Sequence, residues 1–163
     1  MLKHLIVIVF IILGMIAPVF GEPVLHNSGK RMSEQFINDE TFLELKSLKD
    51  VPQGVKDEFV KLSHDPTFMA DPKKVFAVGC IRDASQPCRC LIFGAISSQH
   101  CLLFYEKGGR AHQYLIAAFE LSDKTCKLIW KGSANSYAGR RVKNFVQLKQ
   151  LVNSGKTDDA ASL

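Results

Sequence analysis

The stretch CLLFYEKGGRAHQYLIAAFEL, residues 101–121, sets two apolar runs on either side of Gly108-Gly109. Both runs are rich in Leu, Ile, Phe and Tyr and bounded by turn residues, which reads as strand. A two-residue primed turn needs positive φ, and glycine adopts it without steric cost. The pair therefore predicts a β-hairpin with the two glycines as its turn. In that register Lys107 faces Arg110, Tyr105 faces His112, Leu103 faces Tyr114 and Cys101 faces Ile116. These side chains share one side of the hairpin, because side chains alternate along a strand. Leu102, Phe104, Leu115, Ala117 and Phe119 take the other side, which reads as core. A slip of one residue would exchange the two sides.

Further short runs lie around this hairpin. VFAVGCI (75–81) and CRCLIFGAI (88–96) precede it, and TCKLIW (125–130) follows. The connectors between them are short, as in SSQH (97–100) and SDK (122–124). A parallel pair needs a crossover of about a dozen residues, so short connectors imply antiparallel neighbours. The expectation is an α+β fold: an antiparallel sheet of four to five strands in meander order over about residues 75–131.

Two helices are expected before the sheet and one after it. In INDETFLELKSLKD (37–50), Asn38 or Asp39 can cap, and Phe42, Leu45 and Leu48 or Lys49 recur at helical spacing up to Pro52. In VKDEFVKL (55–62), Val55, Phe59 and Leu62 form one stripe, stopped by Pro66. In RRVKNFVQLKQLV (140–152) the stripe is Val142, Phe145, Leu148 and Val152, with Gly155 as the stop.

The chain opens with a short positive start, Lys3-His4, an apolar run from Leu5 to Ile16, and small or apolar residues before Gly21. That is the pattern of a secretory signal peptide over 1–21. The run is short of the roughly 20 residues that span a bilayer, so no membrane span is expected after cleavage. Residues 22–35 read as a flexible lead-in, 36–155 as a single α+β domain and 156–163 as a loose tail. Removing 21 residues from 163 leaves 142, enough for one core. The expected location is secreted or periplasmic, where disulfides persist. The formal charge of +5 becomes +4 without Lys3, and the basic residues are scattered. A nucleic-acid binder would carry a basic stripe with interleaved aromatics, so nucleic acid is not an expected partner.

Five cysteines stand at 80, 88, 90, 101 and 126. An odd count leaves one thiol unpaired or paired between chains, which leaves room for a homodimer. Cys80 can face Cys88 or Cys90 across a hairpin, and one disulfide is expected there. The C-x-C spacing is a poor match to zinc ligation, so no metal and no cofactor are expected. Neither G-x-S-x-G nor H-E-x-x-H occurs, and the thiols sit in strand runs rather than at helix starts.

The expected function is that of an exported, non-enzymatic binding protein, of the inhibitor or immunity type, acting on a protein or other macromolecule. The expected contact surface is Tyr105, Lys107, Arg110, His112 and Tyr114 at the hairpin tip. Aromatic, basic and imidazole side chains together suit an anionic partner or a protein interface. The alternatives are a cysteine/histidine-dependent enzyme of the cell envelope, with His112 or His100 as base, and a structural subunit of an envelope complex.

Overall fold

Six antiparallel strands lie side by side in the order in which the chain makes them. The computed structural model describes residues 35–79, 86–123, 125–160 and 163. The leader and most of the lead-in fall outside them. The strands are β1 (Leu43–Leu45), β2 (Arg89–Ile96), β3 (His100–Lys107), β4 (Gln113–Leu121), β5 (Cys126–Ala134) and β6 (Thr157–Asp159). The helices are α1 (residues 35–39), α2 (Gln53–Ser63), the short α3 (Ser136–Gly139) and α4 (Phe145–Asn153). A 3-10 turn, Leu48–Asp50, joins β1 to α2. The α+β class and the meander are as expected, but the strand count and the helix arrangement differ.

The sheet is buried on both faces. Leu102, Phe104, Tyr114, Ile116, Ala118 and Trp130 point to one face, where Ile37 of α1 and Leu148, Leu151 and Val152 of α4 cover them. Cys101, Leu103, Tyr105, Leu115, Ala117 and Phe119 point to the other, beneath Val55 and Phe59 of α2 and Met69. Covering both faces explains why β3 and β4 read as continuous apolar runs rather than as an alternation.

The hairpin register differs from the glycine-turn expectation by three residues. Lys107 pairs with Gln113, Tyr105 with Leu115, Leu103 with Ala117 and Cys101 with Phe119. The connection therefore runs over five residues, 108–112, instead of two. An odd shift exchanges the faces of β4 relative to β3, so Tyr105 lies opposite Leu115 and not His112. The two glycines serve different ends. Gly109 has φ 125°, a value L side chains avoid. Gly108 admits a neighbouring segment: its amide donates to Cys88 O at 2.9 Å, and a Cβ there would stand 2.1 Å from Ala77 O.

Four other expectations give way. The first expected helix ends at residue 39, and Leu43–Leu45 instead pairs with Gly94–Ile96. The i, i+3 spacing of Phe42, Leu45 and Leu48 also fits a short alternating strand: Phe42 packs with the α4 layer, Leu45 with the α2 layer. Residues 75–79 form no strand, and Val75 and Val78 are 83 % and 55 % exposed. That segment bonds through single contacts, Ala77 N to Pro87 O and Val78 O to Gly109 N. The last helix starts at Phe145, not at Arg140, because Asn144 accepts from Gln147 N while Gln147 Oε1 accepts from Lys143 N. That exchange resembles a capping box and fixes the start. Part of the tail is held: Thr157–Asp159 pairs with Gly132–Ala134, and Asp159 accepts from the Trp130 indole at 3.1 Å.

The Gly108→Ala variant is expected to lose about 1–3 kcal/mol of stability, because the added methyl meets main-chain atoms that cannot turn aside. Gly54→Ala, whose methyl would meet only Cys126 Cβ at 3.5 Å, should show no such loss. Urea unfolding midpoints of the two variants against the parent chain check this.

Candidate functional site

A bulge in β2 brings the chemistry to one end of the sheet. Leu91 pairs with Tyr105, but Phe93 pairs with Phe104, so one extra residue changes the face that β2 presents. Arg89 and Lys107 therefore stand opposite each other on the α2 side, next to Tyr105. The C-terminal end of α2 comes down on the same end, where His64 takes a left-handed φ of 52° and turns the chain toward Asp65.

Arg89 is 3 % exposed. Its Nη1 donates to Asp65 Oδ2 at 2.9 Å, and its guanidinium lies 5.4 Å from the centre of the Phe59 ring. Asp65 is 6 % exposed; its other oxygen accepts from Thr67 N at 3.1 Å and Thr67 Oγ1 at 2.7 Å. Cys88 Sγ lies 3.3 Å from Asp65 Oδ2. Arg89 Nη2 and Lys107 Nζ both donate to the main-chain oxygen of Leu163, at 3.1 and 2.6 Å. Arg89 Nε and the Tyr105 hydroxyl have no hydrogen-bond partner although both are buried. Burial, above all, holds the Tyr105 phenol well above its ordinary range, with Arg89 opposing it.

Asp65, Cys88, Arg89, Lys107 and Leu163 form the wall of a half-open cleft of about 460 Å³, lined also by Ser63, His64, Gly108, Gly109 and Arg110. Its described lining carries three cationic side chains, Arg89, Lys107 and Arg110, against the single carboxylate of Asp65. The local field therefore favours an anion.

The five residues expected to form one surface are divided. Lys107 and Arg110 line the cleft, with Tyr105 fully buried near Arg89. His112 and Tyr114 belong to the opposite side. Tyr114 is opposite Glu106, and His112 Nε2 lies 2.8 Å from Glu106 Oε2 and stacks on Tyr114 at 5.3 Å. His100 is tied elsewhere, its Nδ1 at 2.5 Å from Glu40 and its ring stacked on Phe36. Asp65, Arg89 and Leu163 were not anticipated. Asp65 is 24 residues from Arg89, and Leu163 is 74 residues away, so no spacing rule connects them. The one sequence sign was a charged residue inside the run CRCLIF.

Cys80 lies outside the described residues, and so does the Cys80–Cys88 pairing. Cys90, Cys101 and Cys126 carry free thiols; the Cys80–Cys90 alternative likewise involves a residue outside the described ones. Cys90 is turned into a protein-lined recess, where its Sγ is 3.3 Å from Asp71 O. Burial pushes the Cys101 thiol up to about 12, with Cys126 adding to the effect. Burial raises Cys90 and Cys126 too, helped by Glu106 and Glu58 respectively. Cys101 and Cys126 share the α2 face. Among the described residues no cluster of His, Cys, Asp and Glu could hold a metal ion. Among them, too, no helix is long and apolar enough to cross a membrane.

The chain matches no protein-family model, no curated protein and no solved structure.

Removing Asp65 leaves the Arg89 charge buried without its carboxylate. Asp65→Ala should cost about 3–5 kcal/mol, and the double variant Asp65→Ala/Arg89→Met less than the sum of the two single changes. A double-mutant cycle by urea unfolding measures the coupling. For Cys101 the folded value of about 12 exceeds the ordinary 9.0. The unfolded chain then loses its proton first, so this group's contribution is complete below pH 9 and is lost as pH rises toward 12. Stability measured over that range should fall less steeply in Cys101→Ala than in the parent.

Proposed function

We propose that this chain is an exported, non-enzymatic binding protein that holds an anionic group of another protein in the cleft between β2, β3 and the end of α2. One observation carries the reading: Arg89 and Lys107, from neighbouring strands, converge on a single oxygen acceptor. A buried guanidinium fixed by a carboxylate and an aromatic ring is already oriented, so little side-chain freedom is lost when a ligand arrives. Lys107 and Arg110 at the rim supply the attraction that speeds and orients encounter. The leader sequence supports a secreted or periplasmic location, and an inhibitor or immunity role fits a small protein that acts by occupying a partner.

The raised thiols support a role without nucleophilic cysteine chemistry, because such chemistry needs a stabilised thiolate and Cys90, Cys101 and Cys126 are shifted the other way. The cysteine/histidine-enzyme reading draws on a different observation: Cys88 and His64 line the same cleft.

Affinity capture with the immobilised protein in an extract of its own compartment separates the two. The expected result is a protein retained by the parent and held at least about tenfold more weakly, roughly 1.4 kcal/mol, by Lys107→Glu/Arg110→Glu. His112→Ala and Cys88→Ser should retain it. Equal retention by the charge-reversed variant, or a turnover that disappears in Cys88→Ser, would overturn the proposal.

A further inference from the structure

The oxygen on which Arg89 and Lys107 close belongs to Leu163. The same residue is 7 % exposed, and its isobutyl group joins the apolar cluster of Val55, Phe59 and Tyr105. The cleft thus reads two features of one residue at once: a main-chain oxygen at a pair of cations, and an aliphatic side chain in a slot beside them. Two polar atoms at this place are buried and without a partner, Arg89 Nε and the Tyr105 hydroxyl. Unpaired buried donors are costly, and Arg89, whose Nε is one of them, lines the cleft. A carboxylate brings two acceptor oxygens and a full negative charge, which suits a guanidinium and an ammonium better than a neutral carbonyl does.

We propose that the cleft is a receptor for the C-terminal carboxylate of a peptide whose last side chain is aliphatic, and that Leu163 occupies it from within the same chain. The proposal rests on the reading of the cleft as the contact surface and names its ligand. Capture of a peptide terminus by a cation and an apolar pocket is a recurring mode of recognition. A tethered occupant acts at a high effective concentration. A partner's terminus then binds in proportion to the fraction of molecules whose cleft is open.

The test uses a fluorescein-labelled hexapeptide with the sequence of residues 158–163, as free acid and as C-terminal amide, titrated by anisotropy. The proteins are the intact chain and a chain truncated after Ala160. The free acid should bind the truncated chain at least about tenfold more tightly than the intact one. The amide should bind it about tenfold more weakly than the acid. Lys107→Met in the truncated chain should weaken the acid and leave the amide unchanged. Should the truncated chain fail to fold, Leu163→Gly in the full chain serves in its place, since it removes the aliphatic group of the occupant. Equal affinity for acid and amide, equal affinity of intact and shortened chains, or no binding of the acid would overturn the proposal. Partner capture that depends on Lys107 and Arg110 without peptide binding would sink the ligand class and spare the contact surface. Peptide binding without any captured partner would uphold the ligand class and sink the wider role.

Discussion

A guanidinium placed inside a hydrophobic sheet must be answered on every side, and the answers organise this fold. Arg89 draws Asp65 down from the end of α2, so the helix is fixed along the sheet as well as against it. Asp65 in turn holds Thr67 through two bonds, which starts the segment that carries Met69 onto the core. On the other side Arg89 takes the oxygen of Leu163, which brings the last residue of the sequence beneath α2. Burying two charges costs several kcal/mol before their attraction is counted. An apolar pair of the same volume would hold the layers together as well. What the ion pair adds is direction, since a charge in low dielectric tolerates few alternative placements of its partner.

The bulge at Leu91–Phe93 makes that placement compatible with the rest of the sheet. Without the extra residue, Arg89 and Phe93 would lie on the same face. With it, Phe93 and Ala95 serve the α4 layer while Arg89 and Leu91 serve the α2 layer. β5 carries a comparable irregularity, where Ala118 pairs with Trp130 and Phe119 with Leu128. The residue left over, Ile129, is 40 % exposed, whereas Trp130 stays inside and its indole anchors β6. Both bulges lie where an uninterrupted alternation would have turned the wrong side chain inward.

The sequence carried the strand runs of the meander because apolar, β-branched and aromatic runs with short connectors are local signals. It carried α2 for the same reason, through Val55, Phe59 and the nearby Pro66. It did not carry β1 or β6, three-residue edges whose existence depends on Gly94 and Gly132 lying alongside them. Nor did it carry the hairpin register. Gly108-Gly109 satisfies a two-residue turn locally, but burying Tyr105 against Phe59 and Leu115 requires five connecting residues, and the core outweighs the turn. The same register governs the site. The glycine-turn register groups Lys107 and Arg110 with His112 and Tyr114; the register that the core selects keeps the first two at the cleft and turns the other two away. Asp65 and Leu163 reach Arg89 only through tertiary packing.

This separation has a chemical consequence for the two ends of the former surface. On the α4 side, Glu106, His112 and Tyr114 satisfy one another, with Phe76 set edge-on at 6.4 Å. A histidine already paired to a carboxylate and stacked on a ring has little left to offer a ligand. On the α2 side the opposite holds: cations outnumber carboxylates in the cleft lining, and two buried polar atoms lack partners. Gly108 lies between these sides, and its missing side chain lets residues 77–78 close over the strand ends. The glycine expected to form a turn therefore bounds the cleft, which ties the conformational demand of the connection to the shape of the site.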